Sequence, residues 1–236
     1  MKRSVIFAAT CSDEGAVTLR GETFTSRPAP SETPVRKTAN QERNEIMEKN
    51  DISSISIDQA GKALASASRR IALLHLAYAK AIMKELGEER GKRLVSDAIK
   101  DYAVKIGNKT KKEVEAKGLE TVPENFGVGD SYALPDFPGM HSGRETVEQA
   151  DGTKRFRAYG CVLGEVWREY GEEKLGRLYC YMDTAKYMGY NPQYKYVHIK
   201  ALPDGDDCCE FEIRRTTAAE REDFAAEGRD WFHMDG

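Results

Sequence analysis

Leu64, Ile71, Leu74, Tyr78 and Ile82 recur at helical spacing between Ile57 and Leu86. Side chains three, four and seven residues apart share a helix face, so the pattern predicts a long amphipathic helix with Gly87 as its stop. His75 lies beside this stripe and reads as a core or rim histidine. Val95, Ile99, Tyr102 and Ile106 form a second stripe, which predicts a helix over 89–107 ended by Gly107-Asn108. A shorter charged helix is expected at 110–117. Four glycines and three prolines then interrupt residues 119–143, as a long turn-rich loop would. His141 in that loop reads as a surface residue within reach of a site.

The second half of the chain changes period. Phe156 and Ala158 alternate as in a strand, and the pattern turns helical after Gly160, which puts Cys161 at a strand-to-helix junction. The stretch "LGRLYCYMDTAKYMGYNP" predicts a helix closed by Asn191-Pro192, with Cys180 and Asp183 three apart on one face. Segments 194–201 and 208–215 alternate around a Pro-Asp-Gly-Asp-Asp turn and predict a β-hairpin. Strand parity sends Cys209, Phe211 and Ile213 inward and leaves Cys208, Glu210, Glu212 and Arg214 outside. Beyond Thr217 an acidic helix leads to "DWFHMDG", whose Trp231 and Phe232 are expected to dock on the body. Together these elements predict an α+β fold with helices packed on one face of a small, mainly antiparallel sheet.

Residues 11–50 are rich in Thr, Ser, Pro, Glu, Arg and Asn and poor in large apolar side chains. Such a composition cannot offset its ordering entropy, so 1–50 is expected to be a disordered leader. An α+β domain over 51–217 and a helical tail over 218–236 complete the organisation. The apolar core that follows Met1-Lys2-Arg3 is too short for an export signal. A net charge of −3 argues against nucleic acid as a partner, and no apolar run reaches the roughly 20 residues that cross a bilayer. Five cysteines, an odd number, do not form a disulfide framework, which points to reduced thiols in the cytoplasm.

Apart from Cys11, every cysteine lies between 161 and 209, in company with Asp183 and His198. These residue types suit either a thiolate nucleophile with a base nearby or a metal held by mixed S, N and O ligands. The spacing contains no C-x-x-C knuckle, and buried cysteines also serve as small hydrophobes. A helix N-terminus at Cys161 would lower that thiol's pKa.

The stretch "GCVLGEVWREYGEEKLGRLYCYMDTAKYMGYNP" followed by "LPDGDDCCEFEI" resembles the L-2-amino-thiazoline-4-carboxylic acid hydrolase family. The resemblance covers residues 57–215 and rests on Cys161, Cys180, Asp183, Asn191, Pro192, Gly205, Asp206, Cys209 and Phe211. More remotely, the stretch is similar to the 4-vinyl reductase domain, a small-molecule-binding α/β module that in some members holds a metal. The family implies water addition at the C=N carbon of 2-aminothiazoline-4-carboxylate and ring opening to N-carbamoyl-cysteine. On this reading Cys161, Cys180, Asp183 and Cys209 are the catalytic candidates, and Asn191, Arg157 and Asp206 contact the substrate, with Arg155 or Arg177 as other carboxylate partners. Cys180, His198 and Cys209 would hold a divalent metal, zinc or manganese, although Ala201 stands where that module has its remaining ligand cysteine. The expected partner is a small-molecule substrate; a homo-oligomer is compatible. The alternative is a non-catalytic, sensor-like binding domain with a structural cysteine or metal site.

Overall fold

The computed structural model describes Thr38 and residues 55–130, 132–135 and 137–235. The expected leader at 1–50 lies, Thr38 apart, outside the described residues. Helix α1 spans Ile57–Leu86, α2 Glu88–Ala116 and the single turn α3 Phe126–Gly129. Strands β1 (Gly143–Glu148) and β2 (Lys154–Tyr159) follow, then helices α4 (Val162–Glu169), α5 (Glu173–Cys180) and α6 (Met182–Tyr190). Strands β3 (Tyr194–Lys200) and β4 (Cys209–Arg215) lead to α7 (Ala218–Ala225) and a final 3-10 turn, Phe232–Asp235.

Helix α1 begins where Ser56 and Gln59 exchange hydrogen bonds, the Gln59 amide donating to Ser56 Oγ and the Ser56 amide to Gln59 Oε1. This reciprocal cap satisfies donors that the first turn leaves unpaired. Gly87, at φ 78°, stops the helix as expected. The buried face differs from the expected stripe. Ser68, Ala72, His75, Leu76 and Ala79 point inward, while Ile71, Leu74 and Tyr78 stay exposed. His75 places Nε2 3.0 Å from the Leu175 carbonyl and is a satisfied buried histidine.

The expected stop at Gly107-Asn108 is absent, and the short helix expected at 110–117 is the end of α2. Gly107 is where α6 crosses. A Cβ there would lie 2.1 Å from the Lys186 carbonyl oxygen and 2.7 Å from the Tyr190 amide nitrogen, and backbone atoms cannot swing away. Gly107→Ala is therefore expected to destabilise the protein by about 3 kcal/mol, the upper end for overpacking. Urea unfolding of the purified variant measures this; unchanged stability would mean that α2 and α6 are further apart.

The sheet has the order β1-β2-β4-β3, antiparallel throughout. It confirms the α+β expectation and the 194–201/208–215 hairpin. Strand β1 was not anticipated, because "RETVE" carries a single large apolar residue; the Asp151-Gly152 turn was its available signal. The helix-facing side carries Phe156, Ala158, Tyr196, Cys209 and Phe211. Tyr187, Tyr196 and Phe211 stack in sequence with centroids 4.9 and 4.8 Å apart, tying α6 to the sheet. Cys209 and Phe211 are buried as parity predicts, but exposure departs from it at three positions. Ile213 is 38% exposed, and Cys208 and Glu210, both expected outside, are buried. A register irregularity between His198 and Lys200 breaks the alternation of β3 as well.

An edge strand leaves backbone donors and acceptors open. Here the last turn and α6 close β3: the His198 amide donates to Asp235 Oδ1 (3.2 Å), and the Thr184 hydroxyl of α6 donates to the Tyr196 carbonyl (2.7 Å). Trp231 and Met234, both fully buried, anchor that turn against Ala103, Ala185 and Met188. The tail docks as expected, and its role is to complete the sheet edge. Among the described residues no helix is long and apolar enough to cross a membrane.

Candidate active site

Two titratable side chains are withdrawn from solvent where β3 meets the last turn. Asp235 and His198 have side chains only 2% and 3% exposed, and His198 Nδ1 lies 3.0 and 3.1 Å from the two carboxylate oxygens. An ionised carboxylate only accepts, so Nδ1 carries a proton towards it, which leaves Nε2 as the nitrogen that can exchange a proton with a substrate. Nε2 points the other way, 4.0 Å from Asp183 Oδ2. Arg177 adds a bond from Nη2 to Asp235 Oδ2 (2.6 Å) and another from Nε to Asp204 (2.9 Å). Burial pushes the Asp235 carboxyl up, but His198 and Arg177 together outweigh it and hold the group below the ordinary carboxylate range. A histidine oriented by a buried carboxylate is the arrangement of a general base.

Asp183, in the first turn of α6, is the hub on the other side of His198. Its charge acts on Cys161, Cys180 and Cys209 alike, and on Tyr187 and Tyr196. The fold thus brings the four expected catalytic residues within electrostatic reach of one another. They arrive differently from the expectation. Cys180 and Asp183 do not share one helix, because Tyr181 separates the end of α5 from the start of α6. Cys161 is the extended residue before α4, and Cys209 opens β4, its sulfur 3.5 Å from the Leu202 amide.

The expected thiolate at Cys161 is not favoured. Burial pushes this thiol up, and the Gly164 and Leu163 amides at the start of α4 pull it down by less. Burial also raises Cys180, against the opposing pull of the Arg177 charge, and pushes Cys209 up to about 12 despite the Leu202 amide. Burial therefore favours the neutral form of all three thiols, which the site sets beside two carboxyl groups, Asp183 and Asp235, and the His198 imidazole.

The proposed metal set Cys180, His198 and Cys209 does not fit a zinc or manganese ion. Ala201 is buried and offers no donor, and among the described residues no three His, Cys, Asp or Glu side chains converge as ligands. The substrate contacts expected of Asn191, Arg157 and Asp206 also meet prior commitments. Asn191 donates to the Thr121 carbonyl (2.7 Å) and accepts from the Gln193 amide (2.9 Å), fastening the end of α6. Asp206 Oδ2 accepts from the Ala201 amide (2.8 Å) and shapes the hairpin turn. Arg157 pairs with Glu210 and Glu145, and Arg155 with Glu210 and Glu212, on the sheet face opposite the helices.

Asp235 was the residue missed. It sits in a four-residue turn with no periodicity to mark it; only the expected docking of Trp231 hinted that its neighbourhood is buried. A cleft of about 310 Å³ opens beside the pair, with Arg177, His198, Lys200 and Asp235 in its wall.

Neither a curated protein nor a solved structure matches the chain. No match supports the more remote similarity expected to the 4-vinyl reductase module. The sequence model of L-2-amino-thiazoline-4-carboxylic acid hydrolase matches residues 67–213, a span that holds Cys161, Cys180, Asp183, His198 and Cys209 and stops short of Asp235. Covering more than half of the sequence, from within α1 to β4, that match shows that the chain belongs to the L-2-amino-thiazoline-4-carboxylic acid hydrolase family.

Proposed function

We propose that the protein hydrolyses a small cyclic amidine carboxylate of the 2-aminothiazoline-4-carboxylate type, with His198 as general base and Asp235 as the residue that orients it. The observation that carries this reading is the buried Asp235–His198 pair whose free nitrogen faces Asp183 and the thiols. Water adds its oxygen to the amidine carbon, and one water proton passes through His198 to the ring nitrogen. The carbon–sulfur bond then breaks as the carbonyl forms, and the hydroxyl proton goes to the departing sulfur. N-carbamoyl-cysteine results. Asp183 opposes the positive charge that the protonated amidine acquires, which is electrostatic help placed where charge develops.

Thiols held above their ordinary range, two of them half-buried and Cys209 buried, favour a wall-forming role for Cys161, Cys180 and Cys209 over direct attack. The four described cysteines are free, which suits a reducing compartment such as the cytoplasm. The test is formation of N-carbamoyl-cysteine from 2-aminothiazoline-4-carboxylate by the purified full-length chain, followed by mass spectrometry. Steady turnover is expected. A chain that binds the ring compound and leaves it intact would instead be the binding domain.

A further inference from the structure

Residues 137–142, just before β1, fold back over the start of α4 and are clamped there. The Val162 amide donates to the Met140 carbonyl (2.9 Å) and the Ser142 amide to the Tyr159 carbonyl (2.9 Å). Pro138 and Gly139 pack on Gly61 and Leu64 of α1. Gly160, at φ 58°, permits the approach of Ser142, whose Oγ would lie 2.4 Å from a Cβ at that position. The loop encloses a pocket of about 110 Å³ lined by Phe137, Pro138, His141, Ser142, Gly143 and Arg144. At about 30 Å³ per water molecule, that space holds a group of three or four heavy atoms.

Its polar lining is unspent. His141, expected to be a surface residue, has its Nδ1 shielded from solvent with no hydrogen-bond partner. A buried polar atom without a partner is costly unless a ligand or water supplies one. Among the described residues, the one hydrogen bond of the Arg144 guanidinium goes to the Pro135 carbonyl (3.0 Å), and no carboxylate pairs with it. Arg155, Arg157 and Arg177, the arginines expected to meet a substrate carboxylate, are all held by protein carboxylates. His141 also lies within electrostatic reach of both Arg144 and Asp183. Asp183, whose charge reaches His141, is the same carboxyl group that lies 4.0 Å from His198 Nε2.

We propose that this pocket seats the substrate carboxylate, with Arg144 as its counter-charge and His141 Nδ1 and the Ser142 hydroxyl as neutral donors. Phe137 and Pro138 supply its apolar wall, and the ring then extends towards Asp183 and His198. The inference rests on the reading of the site as one for a cyclic amidine carboxylate, and it adds which residues recognise the carboxylate.

The test uses ligands that are not turned over. Calorimetric titration compares thiazolidine-4-carboxylate with thiazolidine, which lacks the carboxylate, on the full-length wild type, Arg144→Ala and Arg144→Lys. A charge-assisted bond predicts a wild-type preference for the carboxylate of about 10- to 100-fold. Arg144→Ala is expected to lose that preference through weaker carboxylate binding while thiazolidine binding stays unchanged, and Arg144→Lys should keep part of it. Far-UV circular dichroism verifies that each variant is folded. Wild-type discrimination in Arg144→Ala, or no discrimination in the wild type, overturns the seat. A wild type that binds through Arg144 yet opens no ring keeps the seat and removes the hydrolase reading, so the two failures are distinguishable.

Discussion

Asp235→Ala is expected to lower stability by about 3–5 kcal/mol, as removal of one partner of a buried ion pair does. The loss has several named parts. Arg177 keeps its bond to Asp204, but its Nη2 loses Asp235, and Nη1 already lacks a partner. The His198 amide and Nδ1 lose their acceptor together, and the edge of β3 reopens. Asp235→Asn should recover part of the loss, since it keeps the volume and one acceptor oxygen.

The effect also has a sign in pH. The folded protein holds the Asp235 carboxyl below its unfolded range of about 3.9, so its contribution is fully present above that value. It is lost as pH falls through the folded-state pKa, because protonation then costs the native state its charge partners. Other carboxylates held low, Glu210 and Glu212 among them, titrate in wild type and variant alike. The stability difference between wild type and Asp235→Ala is therefore the quantity to follow: constant above about pH 4 and narrowing below it. Urea unfolding from pH 3 to 7 measures it, and a difference that widens on acidification would contradict the ionised pair.

What the sequence discloses here depends on how local each signal is. The β3–β4 hairpin is legible because a turn-forming run separates two alternating segments, and Gly87 is legible because a left-handed residue ends α1. Gly107 is misleading for a physical reason: a glycine that ends one helix and a glycine that admits another look alike in sequence. The α1 stripe misleads too. Ile71, Leu74 and Tyr78 stay exposed and Leu64 and Ile82 are half-buried. Gly61, Ser68, Ala72 and Ala79 face the core with His75 and Leu76, since close packing of neighbouring backbones favours small residues.

The site divides along the same line. Cys161, Cys180, Asp183 and Cys209 were found by motif, and the fold gathers them around one carboxylate. Their protonation was not legible, because the helix-end effect at Cys161 is local whereas the burial that outweighs it comes from residues far away in sequence. His198 was found as a metal ligand, yet its partner is a carboxylate 37 residues further on. Asp235 joins the site through tertiary contact alone, which no periodicity records.

The central claim is that the imidazole of His198, held by Asp235, moves the protons of ring opening. The most direct test is the rate of N-carbamoyl-cysteine formation from 2-aminothiazoline-4-carboxylate by wild type and by His198→Gln, each at matched folded concentration. Glutamine retains a donor for Asp235 and removes the basic nitrogen, so the fold should survive while kcat falls by about 10²- to 10⁴-fold. A His198→Gln protein that forms product within a few-fold of the wild-type rate would contradict the account.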